Sequence, residues 1–237
     1  MKETGNENLW EESIKARMQL SYTIATMRTP MSPILSGITI GTGAAIGFLS
    51  NCSFATNSTV FSVIEPQQGN VIDSGMSFVL TRIGIRGLAE FLALTGHILT
   101  DTDIHHARLA RYYIHDTDIN SLQTVLSNMS DFKLNKTLST YDAVHRPLNP
   151  TDFSLRKYLP IIGPCFDKNN INDIIAALKE NGSTFALEAA SKIEKTCPLA
   201  AAVTLRMIRL AYNKSIEECM NMEYNVATKF TVIKIIF

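Results

Sequence analysis

Residues 37–50 read GITIGTGAAIGFLS, in which the β-branched run Ile38-Thr39-Ile40 meets a turn holding Gly41 and Gly43 and continues as a small apolar stretch to Leu49. β-branched residues favour a pleated, half-buried strand, while closely spaced Ala, Gly, Ile and Phe suit a helix packed tightly on its neighbours. The local order is therefore strand, glycine turn, helix. Working outward, Met31 to Ile40 reads as a buried strand, Gly43 to Leu49 as the helix, and Val60 to Ile64 as a second strand before the turn-rich Pro66-Gln67-Gln68-Gly69-Asn70. From Thr29 to Ile64 there is no Asp, Glu, Lys or Arg, but Pro30, Pro33, Gly37, Gly41, Gly43, Gly47 and Asn51 break the stretch. A lipid-facing helix needs about 20 predominantly apolar residues, so the segment reads as the buried centre of an α/β core.

On either side the helical period dominates. Residues 8–28 place Leu9, Ile14, Met18, Leu20, Ile24 and Met27 at helical spacing. Helices are also expected at Ser74–Arg82, Gly87–Leu94 and Thr102–Ala110, with a short strand near Tyr112–Ile114. Residues 116–168 hold Pro147, Pro150, Pro160 and Pro164 and read as a less regular connector. Beyond them Asn170 and Ser183 stand where helix N-caps belong, Pro198 suits a first helical turn, and Ser215-Ile216-Glu217-Glu218 forms a capping box. The expected organisation is an α/β first half over 1–115, a connector over 116–168 and a helical region over 169–237.

Composition narrows the function. Twenty-two basic and 22 acidic side chains balance over 237 residues, which gives no direct signal for a nucleic-acid or anionic-membrane partner, since phosphate contacts need clustered Lys and Arg. Cys52, Cys165, Cys197 and Cys219 fit no metal-ligand spacing and read as reduced thiols of an intracellular protein. No metal ligands are assigned: the adjacent His105 and His106 fall on different helix faces, and surface or capping roles are expected for them. The opening MKETGNENLWEE is polar, with neither an apolar run nor an Arg-rich amphipathic pattern, and reads as lacking a targeting peptide.

The glycine turn admits three readings. Gly41, Gly43 and Gly47, with Glu65 downstream, mimic a dinucleotide-binding fingerprint, although they do not open the first βαβ unit. A turn where backbones merely pass closely is the second. In the third, amides at the turn form an oxyanion hole facing a developing negative charge.

Longer words favour the third. GITIGTGAAIGFLS, VIEPQQGNVIDSGMSFVLTRIG and EFLALTGHILTDTDIHHARLA, followed in order by GSTFALEAASKI, KTCPLAAAVTLR and SIEECMNMEY, resemble the 3-hydroxyisobutyryl-CoA hydrolases of the crotonase (enoyl-CoA hydratase/isomerase) superfamily. The resemblance runs from about Trp10 to Thr228, and its most specific words are Phe91–Gly96 and Met222-Glu223-Tyr224. It implies a partial crotonase-type spiral of ββα turns followed by a helical C-terminal region. It also implies hydrolysis of a short 3-hydroxyacyl-CoA thioester in valine catabolism, in the mitochondrion, with coenzyme A as part of the substrate and no separate cofactor.

By the same resemblance, Glu65 is the catalytic carboxylate, as nucleophile or as base on water, and Asp73, eight residues later, is its companion. Gly41, Thr42 and Gly43 are the oxyanion and substrate-binding turn, with Thr42 where the family has glycine. Arg17 stands where the hydrolases have a substrate-reaching Glu. Ala45 occupies the position of the hydratases' second Glu, which favours hydrolysis over addition of water to a double bond. The family's Gly-Gly-Asp turn and the strands before it have no counterpart in this sequence, so a partner chain or oligomer is expected to cover that edge. The alternative function is a relative without turnover serving a large assembly, such as the mitochondrial small ribosomal subunit.

Overall fold

A computed structural model describes residues 9–128 and 134–236, with side chains placed through Phe230. In chain order the elements of the first half are α1 (Leu9–Thr26), β1 (Ile34–Leu35), β2 (Ile38–Thr39), α2 (Gly41–Leu49), β3 (Phe54–Thr56), β4 (Val60–Phe61), α3 (Met76–Thr81), α4 (Leu88–Thr95), β5 (Leu99–Thr100), α5 (Thr102–His106) and β6 (Tyr112–Ile114). Then follow α6 (Ile119–Ser127), α7 (Leu134–His145), α8 (Leu159–Phe166), α9 (Ile171–Asn181), α10 (Thr184–Glu194), α11 (Pro198–Ala211) and α12 (Ile216–Ile236).

The expected strand from Met31 to Ile40 is two short strands in two different sheets. β1 pairs with β3, and β3 with β6, all parallel; β2 pairs in parallel with β4, which pairs antiparallel with β5. Between β1 and β2 the backbone is held by Ser58, whose Oγ accepts the Gly37 N–H at 3.2 Å, and the Gly37 carbonyl accepts the N–H of Val60 at 2.9 Å. These contacts end the first ladder and start the second within three residues. Each ladder is only two or three residues long, so side-chain burial rather than strand length supports it: Phe54, Ala55 and Phe61 are fully buried.

The residues read as an irregular connector carry α6, α7 and α8. Pro160 stands in the first turn of α8, where a missing N–H costs nothing, and Pro164 is accommodated inside it. α8 buries Ile162 and Phe166 in the main core beside Leu88, Phe91 and Leu92 of α4. α6 and α7 bury Leu122 and Leu138 in a second cluster with Phe54, Tyr112 and Ile114. Asp142 of α7 fixes this layer to the sheet by accepting the Tyr113 N–H at 2.9 Å.

The expected caps are present. Asn170 accepts from the Asp173 N–H, Ser183 from Ala186, and Ser215 and Glu218 bond reciprocally at 3.2 and 2.8 Å. The apolar faces of α10, α11 and α12 close over α3 and α4, α9 packs on α8 and α10, and α1 packs along α12, where the Tyr224 hydroxyl donates to Glu11 at 2.9 Å. The last turns of α12 continue the backbone helix to Ile236; the side chains of the expected tail Thr231–Phe237 lie outside the described residues. Among the described residues no helix is long and apolar enough to cross a membrane.

Candidate active site

α2 begins at Gly41, with Ile40 extended before it. Gly41 has φ 57°, a backbone region that L side chains adopt at a cost, and a Cβ built there would stand 3.8 Å from Glu65 Oε1. Ala44 is the first residue of the helix whose N–H reaches a helical carbonyl, that of Ile40 at 3.3 Å. The amides of Gly41, Thr42 and Gly43 are thus the free N-terminal donors of a nine-residue helix, the end at which its dipole favours negative charge.

A pocket of about 320 Å³ opens over this helix end. Gly41 and Thr42 form one wall, Glu65, Asn70, Val71 and Asp73 a second, and Trp10, Ser13, Ile14 and Arg17 of α1 a third, with Ala227 and Phe230 of α12 above. Of the residues named from sequence, Glu65, Asp73, Gly41, Thr42 and Arg17 meet in this one pocket. Gly43 lies in the same helical turn but not on the lining.

The two carboxylates stand in different surroundings. Asp73 Oδ2 pairs with Arg17 Nη1 at 2.9 Å, and its Oδ1 accepts the Ser74 hydroxyl at 2.9 Å. Because the Ser74 proton is committed there, the 3.0 Å contact between Thr42 Oγ1 and Ser74 Oγ is a bond donated by Thr42. The threonine side chain is thereby tied back towards Asp73.

Glu65 has no such partner. Its Oε2 is buried without a hydrogen bond, and burial pushes its carboxyl above the usual range, the nearby Asp73 charge adding to the effect and local backbone amides opposing it. Its backbone is well fixed, since the Glu65 carbonyl accepts from Gln68 at 3.1 Å and Asn70 at 2.8 Å. A desolvated carboxylate beside free amides is equipped to accept a proton or attack an electrophilic carbonyl, with the amides stabilising the resulting oxyanion.

Sequence reasoning assigned no roles to Ser74, Trp10 or Glu223. Ser74 adjoins Asp73 in the chain, and Trp10 reaches the pocket by helical spacing with Arg17. Glu223 is buried on α12 and accepts the N–H of Gly75 at 2.6 Å, the N–H of Ser77 at 2.9 Å and the Ser77 hydroxyl. It closes the start of α3 from another helix and so braces the segment after Asp73. Burial pushes it up to about 7 despite those hydrogen bonds.

Other sequence readings changed. His105 and His106 are half-buried rather than surface residues, each with one buried ring nitrogen lacking a partner. Arg209 of α11 donates to the carbonyls of Phe166, Lys168 and Asn169 at and just beyond the end of α8. Ala45 is fully buried in α2, so no side chain from that position enters the pocket. No group of three or more metal-ligating side chains occurs among the described residues.

Short parallel and mixed ladders, with a helix end at a carboxylate-lined pocket under a helical cap, define an α/β architecture. The chain belongs to the enoyl-CoA hydratase/isomerase family, whose model matches residues 1–234, and its fold is of the crotonase type. It is 27% identical over 223 residues to the mitochondrial 3-hydroxyisobutyryl-CoA hydrolase of Mus musculus, covering 93% of this chain and 58% of the relative. It is likewise 27% identical over 227 residues to a probable 3-hydroxyisobutyryl-CoA hydrolase of Arabidopsis thaliana, covering 94% and 60%. A carnitinyl-CoA dehydratase from Mycobacterium thermoresistibile superposes with a TM-score of 0.84 at 25% identity over 95% of this chain and 64% of that one. The chain thus spans less than two thirds of the length of each of these relatives.

Proposed function

We propose that this chain carries the carboxylate half of a coenzyme A thioester hydrolase acting on a short 3-hydroxyacyl-CoA, in valine breakdown within the mitochondrion. The observation that carries the reading is Glu65: a half-buried residue whose carboxylate Oε2 is buried without a partner, beside the first turn of α2 and sharing its pocket with Asp73. Relatives named as mitochondrial 3-hydroxyisobutyryl-CoA hydrolases support the choice of substrate and compartment. Buried Ala45 supports hydrolysis over hydration, because a second acid from α2 is missing.

In this reading the thioester carbonyl oxygen sits against the amides of Gly41 and Thr42. The Glu65 carboxylate either takes a proton from water as the water adds to the carbonyl carbon, or adds itself and is released by water in a second step. Both routes break the C–S bond, consume one water and deliver its protons to the leaving thiolate and the new carboxylic acid. Asp73, oriented by Arg17 and Ser74, faces the substrate hydroxyl.

Release of free coenzyme A thiol from 3-hydroxyisobutyryl-CoA tests this directly. The chain is expected to release thiol, and Glu65→Gln to lower the rate by roughly a hundred- to ten-thousand-fold. A Glu65→Gln variant as fast as the original chain refutes the assignment. The Arg17–Asp73 ion pair also suits a relative without turnover, since it occupies the acid's usual place with a closed charge pair. Absence of thiol release together with stable co-sedimentation in a large particle decides for that second reading.

A further inference from the structure

We propose that the chain has a separate oxyanion site, for a phosphate-class group, in a cavity at the opposite end of α2 from Glu65. This cavity, about 620 Å³, is lined by Ser50, Asn51 and Ser53 just beyond α2 and by His105, His106, Arg108 and Arg111 between α5 and β6. It has no lining residue in common with the Glu65 pocket. No Asp or Glu lines it.

Its charge is uncompensated. Among the described residues neither Arg108 nor Arg111 forms an ion pair. Arg111 donates to the Asn51 carbonyl at 3.1 Å and lies over the Tyr112 ring, which orients its guanidinium without neutralising it. Ser53 accepts the Arg111 N–H at 3.3 Å, which leaves its own proton available.

The histidines add donors. His105 Nδ1 and His106 Nε2 are sealed from solvent with no partner. A bare lone pair there costs less than a bare N–H, so His105, when neutral, carries its proton on Nε2, and the His106 nitrogen left to donate is Nδ1, neither of these being the sealed atom. Burial lowers the proton affinity of His105, Asp142 opposing this while His106 and Arg146 assist it, so a neutral donor is the expected form. With their lone pairs sealed, the rings cannot ligate a cation, and two guanidinium groups would repel one. Guanidinium and N–H donors lining one cavity without an acceptor carboxylate suit an oxyanion with several acceptor oxygens.

Arg108 also holds a left-handed backbone, φ 57°, which a glycine would adopt without strain. That provides a clean variant: Arg108→Gly removes the guanidinium while relieving the backbone, so its thermal unfolding should match or exceed that of the unmodified chain. The experiment is calorimetric titration of the full chain with inorganic phosphate at low chloride, beside Arg108→Gly and Arg111→Gln. Saturable binding at millimolar phosphate or tighter, weakened about tenfold or more by each substitution, is the expected result. Displacement of phosphate by adenosine 3′,5′-bisphosphate would identify a nucleotide phosphate as the source, and lack of displacement would identify free phosphate. Failure of the unmodified chain to saturate overturns the proposal, as does undiminished binding by a folded Arg108→Gly variant. Thiol release from the Glu65 pocket is read separately and decides nothing about this site.

Discussion

Glu223→Gln should convert a pH-dependent fold into one with a nearly flat response in the same window. Glu223 is fully buried, and its carboxyl is pushed from 4.5 in a solvated reference up to about 7, burial being the main cause and the Asp73 charge a small addition. Below about pH 4.5 the group is protonated in both folded and unfolded chains, so its ionisation adds no slope. Between there and about pH 7 the unfolded chain has released a proton that the folded chain still holds, so stability falls as pH rises, levelling off above the folded value. At 1.36 kcal/mol per pKa unit, the difference amounts to about 3 kcal/mol across the window. The glutamine isostere cannot titrate, but its amide nitrogen must face the Gly75 or Ser77 N–H, a donor against a donor, at a constant cost of roughly 1–3 kcal/mol. Urea unfolding at pH 5 should therefore show the variant weaker than the original chain, and at pH 8 equal to it or stronger. Taking the difference between the two proteins cancels other groups with raised values, Glu65 and Glu90 among them. Parallel stability curves from pH 5 to 8 would refute the reasoning, because they would mean that Glu223 does not titrate there.

Thioester hydrolysis should rise with pH through the elevated value of Glu65, since the carboxylate form is the reactive one; in Asp73→Asn the acidic limb should move to lower pH, because the Asp73 charge is one cause of that elevation, and a pH–rate profile of the residual activity reads the shift. Gly87→Ala should cost at least about 2 kcal/mol in urea unfolding: the left-handed backbone at φ 76° disfavours a side chain, and the added Cβ would meet the Ile162 carbonyl at 2.8 Å. Gly84→Ala, at φ 72° with nothing within 4 Å, should cost only the backbone part, about 1 kcal/mol, so equal losses at the two sites would discount the steric wall. Asp142→Ala removes the acceptor of the buried Tyr113 N–H and the partner of Arg146, and should lower stability by about 2 kcal/mol in the same assay.

The parts of this fold that were legible in the sequence are those whose cause is local. Asn170, Ser183 and the Ser215–Glu218 pair cap helices through atoms three residues apart, and the uncharged stretch from Thr29 to Ile64 announces burial. Phe54–Thr56 escaped notice because a three-residue strand has too few positions to show an alternation, and all three of its residues are buried. The prolines of 116–168 misled for a physical reason: Pro160 sits in the first turn of α8, where proline supports a helix. At the site, Glu65 and Asp73 stand on one loop, but their spacing alone says no more than a capped or solvated turn, and only the resemblance to the hydrolases singled them out. Trp10, Phe230 and the bracing Glu223 come from helices far away in sequence, and only the packing of α1 on α12 brings them to the loop.

That packing gives the basic residue on α1 a physical role. Two carboxylates sharing one pocket raise each other's cost of ionisation, and a third acid on α1 would add to that cost. Arg17 lies on the Asp73 side and offsets its charge, leaving Glu65 governed chiefly by burial, which is the largest of its causes. An acyl chain filling the space between Trp10, Val71 and Phe230 would expel water from beside Glu65 and strengthen that effect, while the Arg17–Asp73 pair, its arginine side chain 41% exposed, keeps contact with solvent. Filling the pocket therefore acts unequally on the two acids, making Glu65 the stronger base and leaving Asp73 paired. Such a difference in environment is what allows neighbouring carboxylates to take separate roles.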